Sequence, residues 1–199
     1  MRIDWFVITG YLILLYYLSA IIVRIILEIP YDVLWLSHAT LPLLALGFIL
    51  KNKLLTTTAG IILLIPHSLW FIDYFLRLVT LPNIGLTDYL AYTHPLAYAT
   101  TIHHLITPIL IIWAFYVLGI HKRAWMLAIS FFLFITTIAL LFTPSELNIN
   151  CAYEMCHALQ EFLPTPPLYW LFLHTIVLLL LYAQNKLAIK IFKNKQNKK

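Results

Sequence analysis

Long apolar runs separated by brief polar breaks dominate the chain. They cover about 5–28, 33–50, 54–75, 97–120, 124–143 and 167–185, each near the roughly 20 residues that an α-helix needs to cross a hydrocarbon core of about 30 Å. The breaks alternate in character. "KNK" and "HKR" are short, so spans two and three, and spans four and five, are expected as tight hairpins. The segments on the opposite side are longer: "RLVTLPNIGLTDYLAYTHP", turned by Pro82, Gly85 and Pro95, and "PSELNINCAYEMCHALQEFLPTPP", bracketed by Pro144, Pro164, Pro166 and Pro167. A short interfacial helix is expected within 146–162 of the latter. The pattern predicts an all-α polytopic membrane helix bundle: six transmembrane helices in a single integral membrane domain over 1–199. The first run is too long for the core of a signal peptide, and no small-x-small cleavage pattern follows it, so it is expected to stay as span one.

Composition sharpens this reading. The chain is 62% hydrophobic and only 11% charged, against about 25% charged in soluble domains, which excludes a soluble fold. Lys and Arg are unevenly placed. Arg2, Lys51, Lys53, Lys122, Arg123 and the tail over 186–199 fall on one side, and only Arg24 and Arg77 on the other. Cytoplasmic loops carry the excess of Lys and Arg, so both termini are expected in the cytoplasm. The net charge of +5 is mostly the tail "KIFKNKQNKK", read as a topology anchor that touches anionic lipid. The expected partner is the lipid bilayer, not nucleic acid, because the basic residues have no folded polar surface to sit on. Trp35, Trp70, Tyr74, Tyr98, Tyr169 and Trp170 mark span ends as an aromatic belt.

The chemistry lies in the histidines, eight in all. His38, His67, His103, His104 and His174 fall inside spans two, three, four and six. At about 1.5 Å of rise per residue, the last four lie roughly 8–12 Å below the outer interface, and His38 slightly higher. An ionisable residue at such depth faces protein or a water-filled cavity by default. A shared level therefore predicts a histidine-lined outer cavity. Asp73, above His67, is a candidate general base or an acceptor that fixes a ring tautomer. Ser37, Ser68, Thr100, Thr101, Thr107 and Thr175 supply hydroxyls nearby. His103 and His104 are separated by about 100° around a helix axis, so one is expected to face the cavity and the other a neighbouring helix or its own backbone carbonyls.

Three readings stay open. Imidazole is a common zinc ligand, and three ligands plus one water make a hydrolytic site for a lipid or membrane-associated substrate. His38, His67, His174 and one of His103 or His104 are the candidate ligands, for zinc or another transition metal. A haem or quinone pocket is the second reading. The third is a non-catalytic protein (accessory subunit, small-solute carrier or cofactor anchor) whose histidines bond between helices. Transport ranks below these, because only Pro42, Pro66 and Pro108 interrupt the spans. Glu146, Glu154, Glu161 and Asp88 make the outer side acidic, which attracts cations and favours the metal reading.

No His-Glu-x-x-His or His-x-x-x-His is present. The transmembrane zinc amidases of the alkaline ceramidase and adiponectin-receptor type are similar in chemistry only: Leu34 and Leu63 stand where their Ser-x-x-x-His pattern places a serine. His38, "HSLWFID" from His67 to Asp73, and Asn148-Ile149-Asn150 resemble an uncharacterised group of bacterial six-span membrane-associated proteins. That group has a His-x-x-Trp-x-x-Asp element and an Asn-Ile-Asn outer loop. The resemblance covers most of the chain and implies the six-span topology and a bacterial inner membrane, but no activity. Cys151 departs from it, standing where the group carries an aromatic residue.

Cys151 and Cys156 lie on the outer side, where a small loop disulfide is the plain expectation. The alternatives are covalent haem on "CAYEMCH", a wider relative of C-x-x-C-H, and a metal site joined by His157 and His94. Asn148 and Asn150 read as turn residues closing on their own backbone. Arg24, Glu28 and Asp32 are four apart. If helical they share a face, read as a local ion pair with snorkelling, the other reading being an inward Arg24.

Overall fold

The computed structural model describes residues 4–82, 85–153 and 166–196, with side chains omitted for 166–168 and 193–196. It is all-helical, with no strand among the described residues. α1 is Trp5–Ile26, α2 Leu36–Ala39, α3 Leu41–Ile49, α4 Lys53–Leu78, α5 Pro95–Ala99, α6 His103–Leu118, α7 Ala124–Phe142 and α8 Pro166–Gln196. Five stretches are long and apolar enough to cross a membrane: α1, α4, Pro95–Leu118, α7 and most of α8.

The expected second span differs. Its helical part, Leu36–Ile49, is interrupted at Thr40. At 14 residues it would reach only about 21 Å, short of a 30 Å core. The break has a local cause. Pro42 has no N–H to continue the helix from α2, so it sits in the first turn of a new one. The Thr40 hydroxyl meanwhile bonds the Leu36 carbonyl at 2.6 Å. α3 packs between α1 and α4, and α4 in turn packs against α6, α7 and α8. Leu41, Leu44, Ala45 and Phe48 are fully buried. Apolar composition does not distinguish a lipid-facing helix from one enclosed by others.

Helices in lipid gain little from apolar burial, since acyl chains are as apolar as leucine; close packing through small residues holds them together. Gly60 is such a contact. A Cβ there would lie 2.4 Å from Phe115 Cζ and 2.9 Å from Ile111 Cγ2, so side chains of α6 pack directly on the α4 backbone. Gly10 does the same for α1 on α3, with a Cβ 2.9 Å from the Ala45 carbonyl.

The two ends of the bundle differ. At one end, short connectors join α3 to α4 and α6 to α7. Asn52 caps α4 by accepting from Leu54 and Leu55 N–H, and Lys51 pairs with Asp4, which caps α1. At the other end, three longer connectors meet. Pro30–Leu34 forms a 3-10 turn, Asp88–Ala91 another, and Ser145–Leu147 and Ile149–Cys151 two more. The helix expected within 146–162 lies mostly outside the described residues, and its first part takes those turns. α8 runs on through the basic segment to Gln196.

Asn148 and Asn150 both adopt left-handed backbone, at φ 41° and 58°. Asn150 reaches beyond the local turn expected. Asn150 Oδ1 accepts from Leu36 N–H and its Nδ2 donates to the Leu34 carbonyl, both at 2.7 Å. It thereby satisfies the backbone where α2 begins, across more than a hundred residues of sequence. Asn148 Oδ1 accepts from Tyr153 N–H at 3.0 Å.

Candidate metal site

The long-connector end brings His38, His67, His103 and His104 together. All are buried, His67 completely. The ring centroids of His103 and His104 are 4.1 Å apart, of His67 and His104 4.3 Å, of His38 and His103 4.7 Å, and of His67 and His103 5.2 Å. Trp70, taken from sequence as part of the aromatic belt, instead stacks on His104 at 4.8 Å and donates its indole N–H to the Tyr89 hydroxyl. The rings touch one another, so this is a packed cluster.

Both members of the His103-His104 pair face inward, against the expectation that one would turn away. The reason is local. Residues 100–102 form a turn and α6 starts at His103, so both rings at the start of the helix have carbonyls of that turn within reach. Each folds back on the preceding turn. His103 Nδ1 lies 3.0 Å from the Thr100 carbonyl, and His104 Nδ1 2.9 Å from the Thr101 carbonyl.

These bonds fix the tautomers. A carbonyl only accepts, so both Nδ1 atoms carry the hydrogen, and in the neutral ring the lone pair is on Nε2. His67 follows by one further step. Its Nδ1 bonds Thr107 Oγ1. That hydroxyl donates its own hydrogen to the His103 carbonyl at 2.7 Å, so it must accept from His67 Nδ1–H, again leaving the lone pair on Nε2. Nε2 of His67 and Nε2 of His103 are buried without a hydrogen-bond partner. One ring nitrogen from each of His67, His103 and His104 lies within 4.8 Å of the others. Tetrahedral zinc with bonds of about 2.0–2.1 Å holds its nitrogen ligands about 3.3 Å apart, so the rings would draw together to close the set. Histidines that bind metal typically donate their other N–H to an oxygen, as all three do here. Pro66 and Pro108 adjoin His67 and Thr107, so each helix gives up a backbone bond beside the site.

His38 neighbours this set, but its Nε2 lies 3.3 Å from Arg24 Nη2. Arg24 is buried and faces inward; its Nη2 also donates to Thr100 Oγ1 at 2.9 Å, and its Nη1 pairs with Asp32. The helical face expected for Arg24, Glu28 and Asp32 does not form, because α1 ends at Ile26 and Glu28 turns to φ 59°. The chain reverses and Asp32 returns to Arg24. Burial pushes the Asp32 carboxyl above its ordinary value, and the Arg24 charge opposes that shift.

His174 stands apart from the set. Its ring stacks on Trp170 at 4.3 Å and packs on Phe132 at 5.5 Å, and its Nδ1 donates to the Trp170 carbonyl. α8 offers it at a suitable depth but against α7. Asp73 is fully buried and holds the connector after α4. Its oxygens accept from Gly85 N–H at 3.2 Å, Thr87 N–H at 2.8 Å and Thr87 Oγ1 at 2.7 Å. The acceptor role foreseen for Asp73 falls instead to Thr100, Thr101 and Thr107. Arg77 reinforces the same connector through the Thr87 carbonyl and Asp88.

In the last connector, Cys151 is disulfide-bonded and its carbonyl accepts from the Tyr169 hydroxyl. Cys156 and His157 lie outside the described residues. His94 caps α5 by accepting from Leu96 N–H at 3.2 Å. No protein-family model, curated protein or solved structure matches this chain.

Proposed function

We infer that this integral membrane protein binds one transition-metal ion, of the zinc class, through Nε2 of His67, His103 and His104. The fourth position takes water, and the resulting centre hydrolyses an ester, amide or phosphoester bond in a lipid or membrane-associated substrate. One observation carries the metal reading: three buried imidazoles whose Nδ1 atoms are each held by an oxygen and which offer one ring nitrogen apiece within 4.8 Å of the others. Three neutral nitrogen ligands and an exchangeable oxygen are the ligand set of catalytic zinc, which lowers the pKa of its water to about 7. The set contains no thiolate, which disfavours an iron–sulfur cluster.

The topology belongs to the same reading. Leu36–Ile49 counts as a sixth, short crossing enclosed by the others, and both termini lie on the side of Lys51, Lys53, Lys122 and Arg123, the cytoplasm. The site then belongs to the outer half of the membrane.

The reading is tested on protein purified in mild detergent without chelator or His-tag, by elemental analysis, a visible spectrum and a screen of lipid esters, amides and phosphoesters. Stoichiometric metal and activity, both absent in His67→Ala and His103→Ala, are expected. Metal without hydrolysis would retain the site and remove the activity. A Soret band would replace zinc-type chemistry by haem.

A further inference from the structure

His38 packs against one member of the set: its ring lies 4.7 Å from His103, closer than His67 does at 5.2 Å, but its nitrogens do not join the group within 4.8 Å of one another. The use of its Nε2 sets it further apart. A guanidinium has only donors, so the contact with Arg24 Nη2 at 3.3 Å engages the lone pair that a metal would need. The corresponding atoms of His67 and His103 have no partner.

Arg24 is itself placed with care. It is 6% exposed, too enclosed to be a snorkelling side chain. Asp32 anchors one end of the guanidinium. The other end reaches both His38 Nε2 and Thr100 Oγ1, and the Thr100 carbonyl is the acceptor that orients His103. One cation therefore touches the excluded histidine and the residue that sets an included one. His38 sits on α2, four residues long and bounded by the turn that carries Asp32 and by Thr40, so its ring is not fixed by a long helix.

We propose that Arg24 is a positioning residue that sets the coordination number of the site: it engages His38 and so holds the metal at three imidazoles and one exchangeable oxygen. This rests on the three-histidine metal reading. With His38 released, four imidazoles would close the site in the manner of structural zinc, leaving no position for water or substrate. The guanidinium also places a positive charge beside a divalent ion, which favours an anionic oxygen, such as hydroxide, carboxylate or phosphate, as the fourth ligand.

The test uses the full chain in detergent loaded with Co2+, whose d–d bands report the number of nitrogen ligands, and azide as an anionic probe of the open position. Wild type and His38→Ala are expected to share one spectrum, to bind Co2+ within about threefold of each other, and to respond to azide. Arg24→Met combined with Asp32→Asn removes the ion pair as a unit. It is expected to gain a nitrogen ligand, to bind Co2+ about tenfold more tightly and to lose the azide response. Adding His38→Ala to that pair should restore the wild-type spectrum. An altered spectrum in His38→Ala alone would make His38 a ligand and overturn the proposal, and this arm stands even if the double variant fails to fold. An unchanged spectrum and azide response in a folded double variant would overturn it while leaving the metal site intact. Failure of wild type to take up Co2+ in a His67-dependent manner would refute the metal reading first, and this proposal with it.

Discussion

Both ends of the bundle bury polar groups, and they use them differently. At the lysine end, Thr57 Oγ1 accepts from His121 N–H at 3.0 Å and Asn185 Nδ2 donates to the His121 carbonyl at 3.2 Å. One connector is thus stitched to α4 and α8. At the histidine end, backbone and hydroxyl bonds use only Nδ1. Among the described residues each end leaves buried atoms without a partner: Asn185 Oδ1 and Gln184 Oε1 at one, Arg24 Nε and Nε2 of His67 and His103 at the other, with His174 Nε2 alone against α7. A single water satisfies an amide oxygen. Two unpartnered imidazole nitrogens on neighbouring rings, with His104 beside both, are what the proposed metal ion would satisfy. Burial of polar groups alone does not mark a site; convergence of lone pairs of one kind does.

The contrast breaks most sharply at the ligands. His67→Ala should lower metal affinity by at least about 100-fold, read by competition with a chromophoric chelator, while Asn185→Leu should leave it unchanged. Equal metal content in the two variants would erase the distinction between the ends. Next comes the hydroxyl that orients His67. Thr107→Val removes the acceptor for Nδ1–H and should weaken metal binding about 10–100-fold; a loss of thermal stability with no change in affinity would make Thr107 merely a packing residue. Gly60→Ala probes the scaffold between the ends. The added methyl meets Phe115 and Ile111, and overpacking should cost about 1–3 kcal/mol of stability, with metal bound in the protein that remains folded. Asn185→Leu should itself cost about 1 kcal/mol through the lost bond to His121, seen as a modest fall in melting temperature.

The smallest effect is at Asp4. Its hydrogen bond with Lys51 holds the carboxyl below its ordinary value. A depressed carboxylate contributes stability above its unfolded pKa, and that contribution fades as pH falls through the lower folded value. Asp4→Asn should therefore flatten a slight acid destabilisation measured in detergent at low salt, and leave neutral-pH behaviour nearly unchanged. The pair is exposed, so salt should mute the difference.

What the sequence made legible follows from what one dimension encodes. Depth along a helix can be counted, so His67, His103 and His104 could be placed at one level, and they do meet. Azimuth was counted too, and it set His103 and His104 about 100° apart, but it does not tell that each ring folds back on the turn before α6. His174 shares the depth but faces Phe132 and Trp170, a choice made by the packing of α8. Arg24 Nη2 reaches Thr100 across more than seventy residues of sequence. Its inward course continues the buried stripe of Gly10, Ile13 and Ala20 on α1, whereas the return of Asp32 depends on where α1 stops, and Glu28 gives no sign of a left-handed turn. Hydropathy also read 33–50 as one continuous span and did not show that Pro42 breaks it at Thr40, which shortens its helical part to Leu36–Ile49. The threonines near the site were visible as hydroxyls; that two of them act through their carbonyls was not.

The most direct test is metal K-edge X-ray absorption on wild-type protein isolated without chelator or His-tag. The three-histidine site predicts one bound metal per chain with three imidazole nitrogens and one oxygen at about 2.0–2.1 Å, the imidazole signature disappearing in His67→Ala. Protein with no metal, or metal held by oxygens alone in wild type and variant alike, would contradict it.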